Sequence, residues 1–132
     1  MSRDIKVTFP GGKQVDAEDR GMIIHTDQSA RNGGEESAPE PFSLFLASIA
    51  TCAGIYALEF CLTRKLTTEG LSVVMCADRD AERKMYTRIR LEVTPPKDFP
   101  EKYRDALVRA VNLCSVKKHL MNPPEFETEM MD

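Results

Sequence analysis

Ile5, Val7 and Phe9 alternate with Lys6 and Thr8, and this two-residue period predicts a strand over residues 3–9. Pro10-Gly11-Gly12 reads as a turn, and a second strand around Lys13–Ala17 completes a hairpin. Gly21 to Thr26 is a third short strand, followed by the polar stretch DQSARNGGEESAPEP, too rich in Gly, Pro, Ser and Glu for regular structure. The pattern then changes character. Pro41 to Leu58, PFSLFLASIATCAGIYAL, carries no charged residue, and as a helix running to about Arg64 it is apolar on nearly every side. Such a helix must be enclosed all round. Pro41 suits a first helical turn, and Arg64 and Lys65 suit the negative end of the helix dipole.

Beyond Gly70 the period returns to two. Leu71, Val73 and Met75 alternate in one strand, and Met85, Ile89, Leu91 and Val93 in the next, with a charged turn from Asp78 to Arg83 between them. Pro95-Pro96 ends that hairpin, and Asp98 and Pro100-Glu101 signal a helix start. Tyr103, Ala106, Leu107, Ala110, Val111 and Cys114 follow at helical spacing, so that Cys114 closes a core-facing stripe. A short helix at 115–121 and an alternating tail strand, Phe126, Thr128 and Met130 against glutamates, complete the chain. The order β-β-β-α-β-β-α-(α)-β is that of an α+β fold, antiparallel sheet packed on two helices, in a single domain over residues 1–132.

Composition narrows the function. A 132-residue chain buries about two-thirds of its unfolded surface. Its net charge of −3 argues against nucleic acid as a partner, because phosphate binding needs clustered Lys and Arg. The apolar run approaches the length of a membrane span. Ser43, Ser48, Thr51 and Gly54 dilute it and Glu40 and Glu59 bracket it, so it reads as a buried central helix, with no membrane partner. MSRDIKVTF lacks the apolar region of a signal peptide, which points to the cytoplasm. Four cysteines there are not expected to be standing disulfides. With no CxxC pair and only two histidines, no metal is expected either.

The cysteines carry the candidate chemistry. Cys61 and Cys76 read as small buried hydrophobes. Cys52, flanked by Ala47, Ser48, Ala50, Thr51, Ala53 and Gly54, has no neighbouring cation in sequence, and an apolar setting raises a thiol's pKa. Cys114 stands where one helix ends and another begins, ahead of Lys117 and Lys118, a setting that favours a thiolate. Spacing alone leaves open whether Cys52 and Cys114 meet as a redox pair. His25 reads as a hydrogen-bonded or surface residue and His119 as solvated.

PFSLFLASIATCAG, followed about sixty residues later by AVNLCSVKKHL and a short tail strand, resembles the OsmC/Ohr family of osmotically inducible and organic hydroperoxide resistance proteins. The likeness runs over almost the whole chain. It is closer to the branch with a P-x-E-L-L-L-A-S-L-type helix start than to the organic hydroperoxide branch. The resemblance implies a two-layer fold forming an intertwined homodimer with two active sites at the interface. It makes Cys52 the peroxidatic residue, Cys114 the resolving residue, and a peroxide and a dithiol reductant the partners, with no cofactor. The alternatives are a non-catalytic member binding a small apolar molecule in the interface pocket, or a thiol redox sensor. Two positions depart from the family pattern. The glutamate expected nine or ten residues before the first cysteine is replaced by Ser43 and Phe42, and the proline expected after the second is Ser115. That glutamate orients an arginine beside the thiolate, for which Arg31 and Arg20 are the candidates, and Glu40 substitutes only if the loop folds differently.

Overall fold

The computed structural model describes residues 2–132. The chain divides into two compact units, Met1–Ala47 and Ser48–Asp132.

The N-terminal unit is built on a three-stranded antiparallel sheet, β1 (Lys6–Gly11), β2 (Gln14–Asp19) and β3 (Met22–Thr26), in the order β1-β2-β3. Val7, Ala17 and Ile24 stand in one row across it, and Thr8, Asp16 and His25 in the next. One face is therefore apolar, and in the single chain it is open to solvent: Phe9 is 77% exposed and Met22 65%. The β2–β3 turn is Arg20-Gly21, both at positive φ (52° and 81°), the twist a two-residue hairpin turn requires. The polar stretch after β3 is ordered around Asp27, which is almost wholly buried. Its carboxylate accepts the N–H groups of Gln28 (2.7 Å), Glu35 (3.3 Å) and Ser37 (3.1 Å) and the Ser37 hydroxyl (2.6 Å). A short 3-10 turn, Ala30–Asn32, stands within it. Gly34 closes the loop: a Cβ there would lie 2.0 Å from the Gln28 carbonyl oxygen.

Helix α1, Pro41–Thr63, matches the apolar run. It ends with Lys65 in the left-handed conformation, the Leu66 N–H reaching the Cys61 carbonyl (2.9 Å) and the Lys65 N–H that of Leu62 (3.1 Å). Arg64 donates to the Phe60 carbonyl (3.3 Å) and lies 3.5 Å over the Phe60 ring, a packed cation at the helix's negative end.

In the C-terminal unit, β4 (Ser72–Asp80) and β5 (Met85–Thr94) form an antiparallel hairpin. β4 runs further than the alternation suggested, to Asp80, so the turn is at 81–84, and β5 begins at Met85 as expected. A 3-10 turn at Glu101–Tyr103 leads into α2 (Arg104–Val111), and α3 follows at Ser115–Met121. The core joins Ala53, Ala57 and Phe60 of α1 to Leu107 and Val111 of α2, with Val73, Leu91 and Val93 of the hairpin against them. Phe60, Phe99 and Tyr103 pack ring against ring at 5.9–6.3 Å.

The cover of α1 is incomplete within one chain, and one expectation, the tail strand, needs correction. The all-round cover of α1 is not supplied by this chain: burial follows one stripe, Ile49, Ala53, Ala57, Phe60 and Cys61, while Phe42, Phe45, Ile55 and Leu62 are exposed. By length and composition α1 also meets the requirement of a membrane span, and only 28% of its most apolar stretch is buried. The tail strand does not form. Residues 123–132 make no ladder, and Phe126 (89%) and Met130 (96%) are exposed, because an alternating segment needs a sheet edge to pair with.

Candidate functional site: a cysteine pair on two helices

Cys52 lies in the middle of α1 beside the buried stripe and is half-buried; Cys114 is almost wholly buried. Their meeting follows from where α2 stops. The last α2 bonds run from Asn112 to Val108 and from Leu113 to Ala110, after which Cys114 adopts non-helical angles (φ −48°, ψ 126°) as the N-cap of α3. Its sulfur accepts the Lys117 N–H at 3.5 Å, the role a serine or threonine oxygen plays at other helix starts. Cys114 thus ends up on the junction and not on the α2 stripe.

Both cysteines are reduced. The Cys114 thiol and the Val116 and Ser115 backbone N–H groups act as donors toward the Cys52 sulfur and lower its pKa. Burial pushes the Cys52 thiol up, but these three donors outweigh it, and its pKa falls below the ordinary cysteine value. Cys114 moves the other way. Burial raises it, donation of its proton to Cys52 raises it further, and the Lys117 and Val116 N–H groups oppose this only in part. The two shifts run in opposite directions, so Cys52 is the more readily ionised of the pair and Cys114 the one that holds its proton more firmly. A thiolate is the nucleophilic form.

The other two cysteines lie on the inert side. Burial raises Cys61, with Arg64 opposing. Cys76 donates to the Glu92 carboxylate (3.1 Å), which raises it, with burial adding and Arg90 opposing.

The candidate arginines belong to the N-terminal unit. Arg20 occupies the β2–β3 turn and Arg31 the 3-10 turn, and both side chains are exposed. Every donor acting on the Cys52 sulfur comes from residues 114–116, and none is a formal cation. Glu40 is engaged elsewhere, its carboxylate accepting the Ser29 N–H (3.1 Å). Phe42 and Ser43 lie on the first turn of α1, with the Phe42 ring 5.3 Å from that of Phe45. His25 pairs with Asp16 (3.0 Å) across β2 and β3, and His119 donates to the Ser115 carbonyl (2.7 Å). No cluster of three or more His, Cys, Asp or Glu side chains suited to a metal stands among the described residues.

Sequence reasoning missed Tyr56, whose hydroxyl lies 3.5 Å from that of Ser115. The signal was present, since Tyr56 follows Cys52 by four residues and so shares its helix face. It also missed a pocket of about 410 Å³ lined by Ile49, Ile89, Leu91, Val108, Leu120 and Met121, with Arg90, Asn112 and Lys117 as its polar part.

An α+β chain of antiparallel sheets and three helices, with a polarised cysteine pair joining the long helix to a later helix start, defines a class of cysteine-bearing domain. Residues 33–129 match the family model described as OsmC-like protein, and the chain belongs to that family. Its fold is shared with a protein from Psychrobacter arcticus assigned to the osmotic stress induced and detoxification response (TM-score 0.72, 20% identity, 89% of this chain and 87% of that one). An OsmC-like protein from Mycoplasma pneumoniae matches with a TM-score of 0.66 at 14% identity, covering 93% and 89%. An organic hydroperoxide resistance protein from Legionella pneumophila matches with 0.56 at 18%, covering 91% and 89%. None of the curated proteins matches the chain in sequence.

Proposed function

We propose that this chain is a thiol-dependent peroxide reductase in which Cys52 is the peroxidatic and Cys114 the resolving residue. The Cys52 thiolate attacks the outer oxygen of a hydroperoxide, the O–O bond breaks, and Cys52 becomes a sulfenic acid while an alcohol leaves. The Cys114 thiol then attacks the sulfenic sulfur, releasing water and forming a Cys52–Cys114 disulfide. An external dithiol reopens the disulfide by exchange. No metal or organic cofactor enters the cycle. What supports this reading is that Cys114, the cap of α3, and Cys52 on α1 act on one another, the Cys52 pKa being lowered and the Cys114 pKa raised.

The functional unit is a homodimer of single-domain chains in the cytoplasm. Its support is the exposed apolar face of β1–β3 and the unpaired alternating tail, surfaces that a second copy would cover. Arg31 or Arg20 is the candidate cation for the assembled site.

A second reading, binding of a small apolar molecule without turnover, is favoured by the apolar pocket and by Phe42 and Ser43 standing where a glutamate is expected. One assay separates the two. Purified protein given an alkyl hydroperoxide and a dithiol reductant should turn over, and Cys52→Ser should not, while remaining folded at a cost within about 1–2 kcal/mol. Wild-type protein that consumes no peroxide but carries a copurified apolar ligand would establish the second reading instead.

A further inference from the structure

We propose that the Tyr56 hydroxyl, backed by that of Ser115, is the proton donor to the oxygen that leaves when peroxide oxidises Cys52. The inference rests on the peroxide-reductase reading and assigns the one proton that the cysteine pair does not account for. When the thiolate attacks R–O–O–H, the sulfur takes the terminal OH, the O–O electron pair stays on the other oxygen, and RO⁻ departs. A free alkoxide is a poor leaving group, so a donor placed at that oxygen lowers the barrier. Cys114 is not that donor. Its proton is directed at the Cys52 sulfur, on which the outer oxygen arrives, and its thiol is needed for the next step.

Tyr56 stands one helical turn beyond Cys52 on the same face of α1. Ser115 joins the two groups: its backbone N–H donates to the Cys52 sulfur, and its side-chain oxygen lies 3.5 Å from the Tyr56 oxygen. The phenol is thus tied through Ser115 to a residue that also acts on the Cys52 sulfur, and the proposal places the oxygen displaced from a peroxide beside it. A phenol is a far stronger acid than an aliphatic alcohol, so proton transfer to RO⁻ runs downhill. Ser115 is solvent-exposed, and its hydroxyl returns a proton from water to the phenolate. The net step is Cys52–S⁻ plus ROOH plus one solvent proton, giving Cys52–SOH plus ROH. The serine at this position, in place of the proline that the resemblance leads one to expect, supplies the hydroxyl that completes the relay.

The test is the rate of sulfenic acid formation in wild type and Tyr56→Phe with two oxidants, tert-butyl hydroperoxide and peracetic acid. The first expels an alkoxide that needs a proton; the second expels a carboxylate that does not. Tyr56→Phe should slow the hydroperoxide reaction by about 10²-fold and leave the peracid rate and the pH profile of Cys52 alkylation unchanged. Ser115→Ala should show the same selectivity with a smaller loss. Equal slowing with both oxidants, or no slowing with either, overturns the proton-donor role while leaving the reductase reading standing. Failure of the wild-type chain itself to form a sulfenic acid overturns both.

Discussion

Replacing Cys114 with alanine removes the S–H that donates to the Cys52 sulfur. A hydrogen bond to an ionised acceptor contributes roughly 1.5–3 kcal/mol, and a thiol is a weak donor, which places this one at the low end, about 1.5 kcal/mol. That energy is roughly a tenfold change in the thiolate-to-thiol ratio. Nucleophilicity moves against it, because a tenfold weaker acid gives a roughly threefold better nucleophile at a Brønsted slope of about 0.4–0.5. The two effects predict a crossing. Below the Cys52 midpoint the variant should alkylate about three- to fourfold more slowly than wild type, and well above both midpoints about threefold faster. Loss of the sulfur acceptor for the Lys117 N–H also frays α3, by roughly 1 kcal/mol, and this carries the Ser115 and Val116 donors away in the same direction. Cys114→Ser keeps both a cap and a donor, so its profile should stay close to that of wild type. The assay is iodoacetamide labelling of Cys52 across pH, followed by peptide mass spectrometry. Superimposable profiles for wild type and Cys114→Ala, or uniform slowing at every pH, would refute the account of how the thiolate is held.

Two further outcomes follow. Asp27 has its pKa lowered first by the Ser37 hydroxyl and then by backbone N–H groups, against burial. A lowered folded value stabilises the fold above the unfolded carboxylate value of about 3.9 and is lost as pH falls through the folded value. Asp27→Asn should therefore be less stable than wild type at neutral pH in urea unfolding, with faster amide exchange at Gln28, Glu35 and Ser37, and the gap should narrow below about pH 4; a gap independent of pH would contradict this. Sedimentation should return about twice the 14.8 kDa chain mass, and Phe9→Glu on the exposed apolar face should shift it toward the monomer. A wild-type monomer would remove the homodimer from the account.

Much of the fold was legible because it rests on local periods. Val7 facing Ala17 and Ile24, or Val73 facing Val93, is alternation made visible, and the uncharged run from Pro41 gave α1 to within a residue of its end. What was not legible depends on partners distant in sequence. Phe126 and Met130 carry a strand's pattern, but pattern does not say whose edge receives it. Asp27 looked like one more polar loop residue, and only the folded path of residues 28–37 turns it into a buried anchor. At the site, composition assigned a raised pKa to Cys52 because its sequence neighbours are apolar. The opposing donors arrive from 114–116, and spacing alone had left that meeting open. A supporting cation would have no periodic signature at all, so Arg20 and Arg31 were nameable only through the resemblance.

The most direct measurement is the bond that forms on oxidation. Reduced protein exposed to one equivalent of alkyl hydroperoxide, then blocked, digested and mapped by mass spectrometry, should yield a single intrachain Cys52–Cys114 disulfide, with Cys61 and Cys76 recovered as blocked thiols. Cys52 left unmodified, or oxidised to sulfinic acid while Cys114 stays free, would contradict the account.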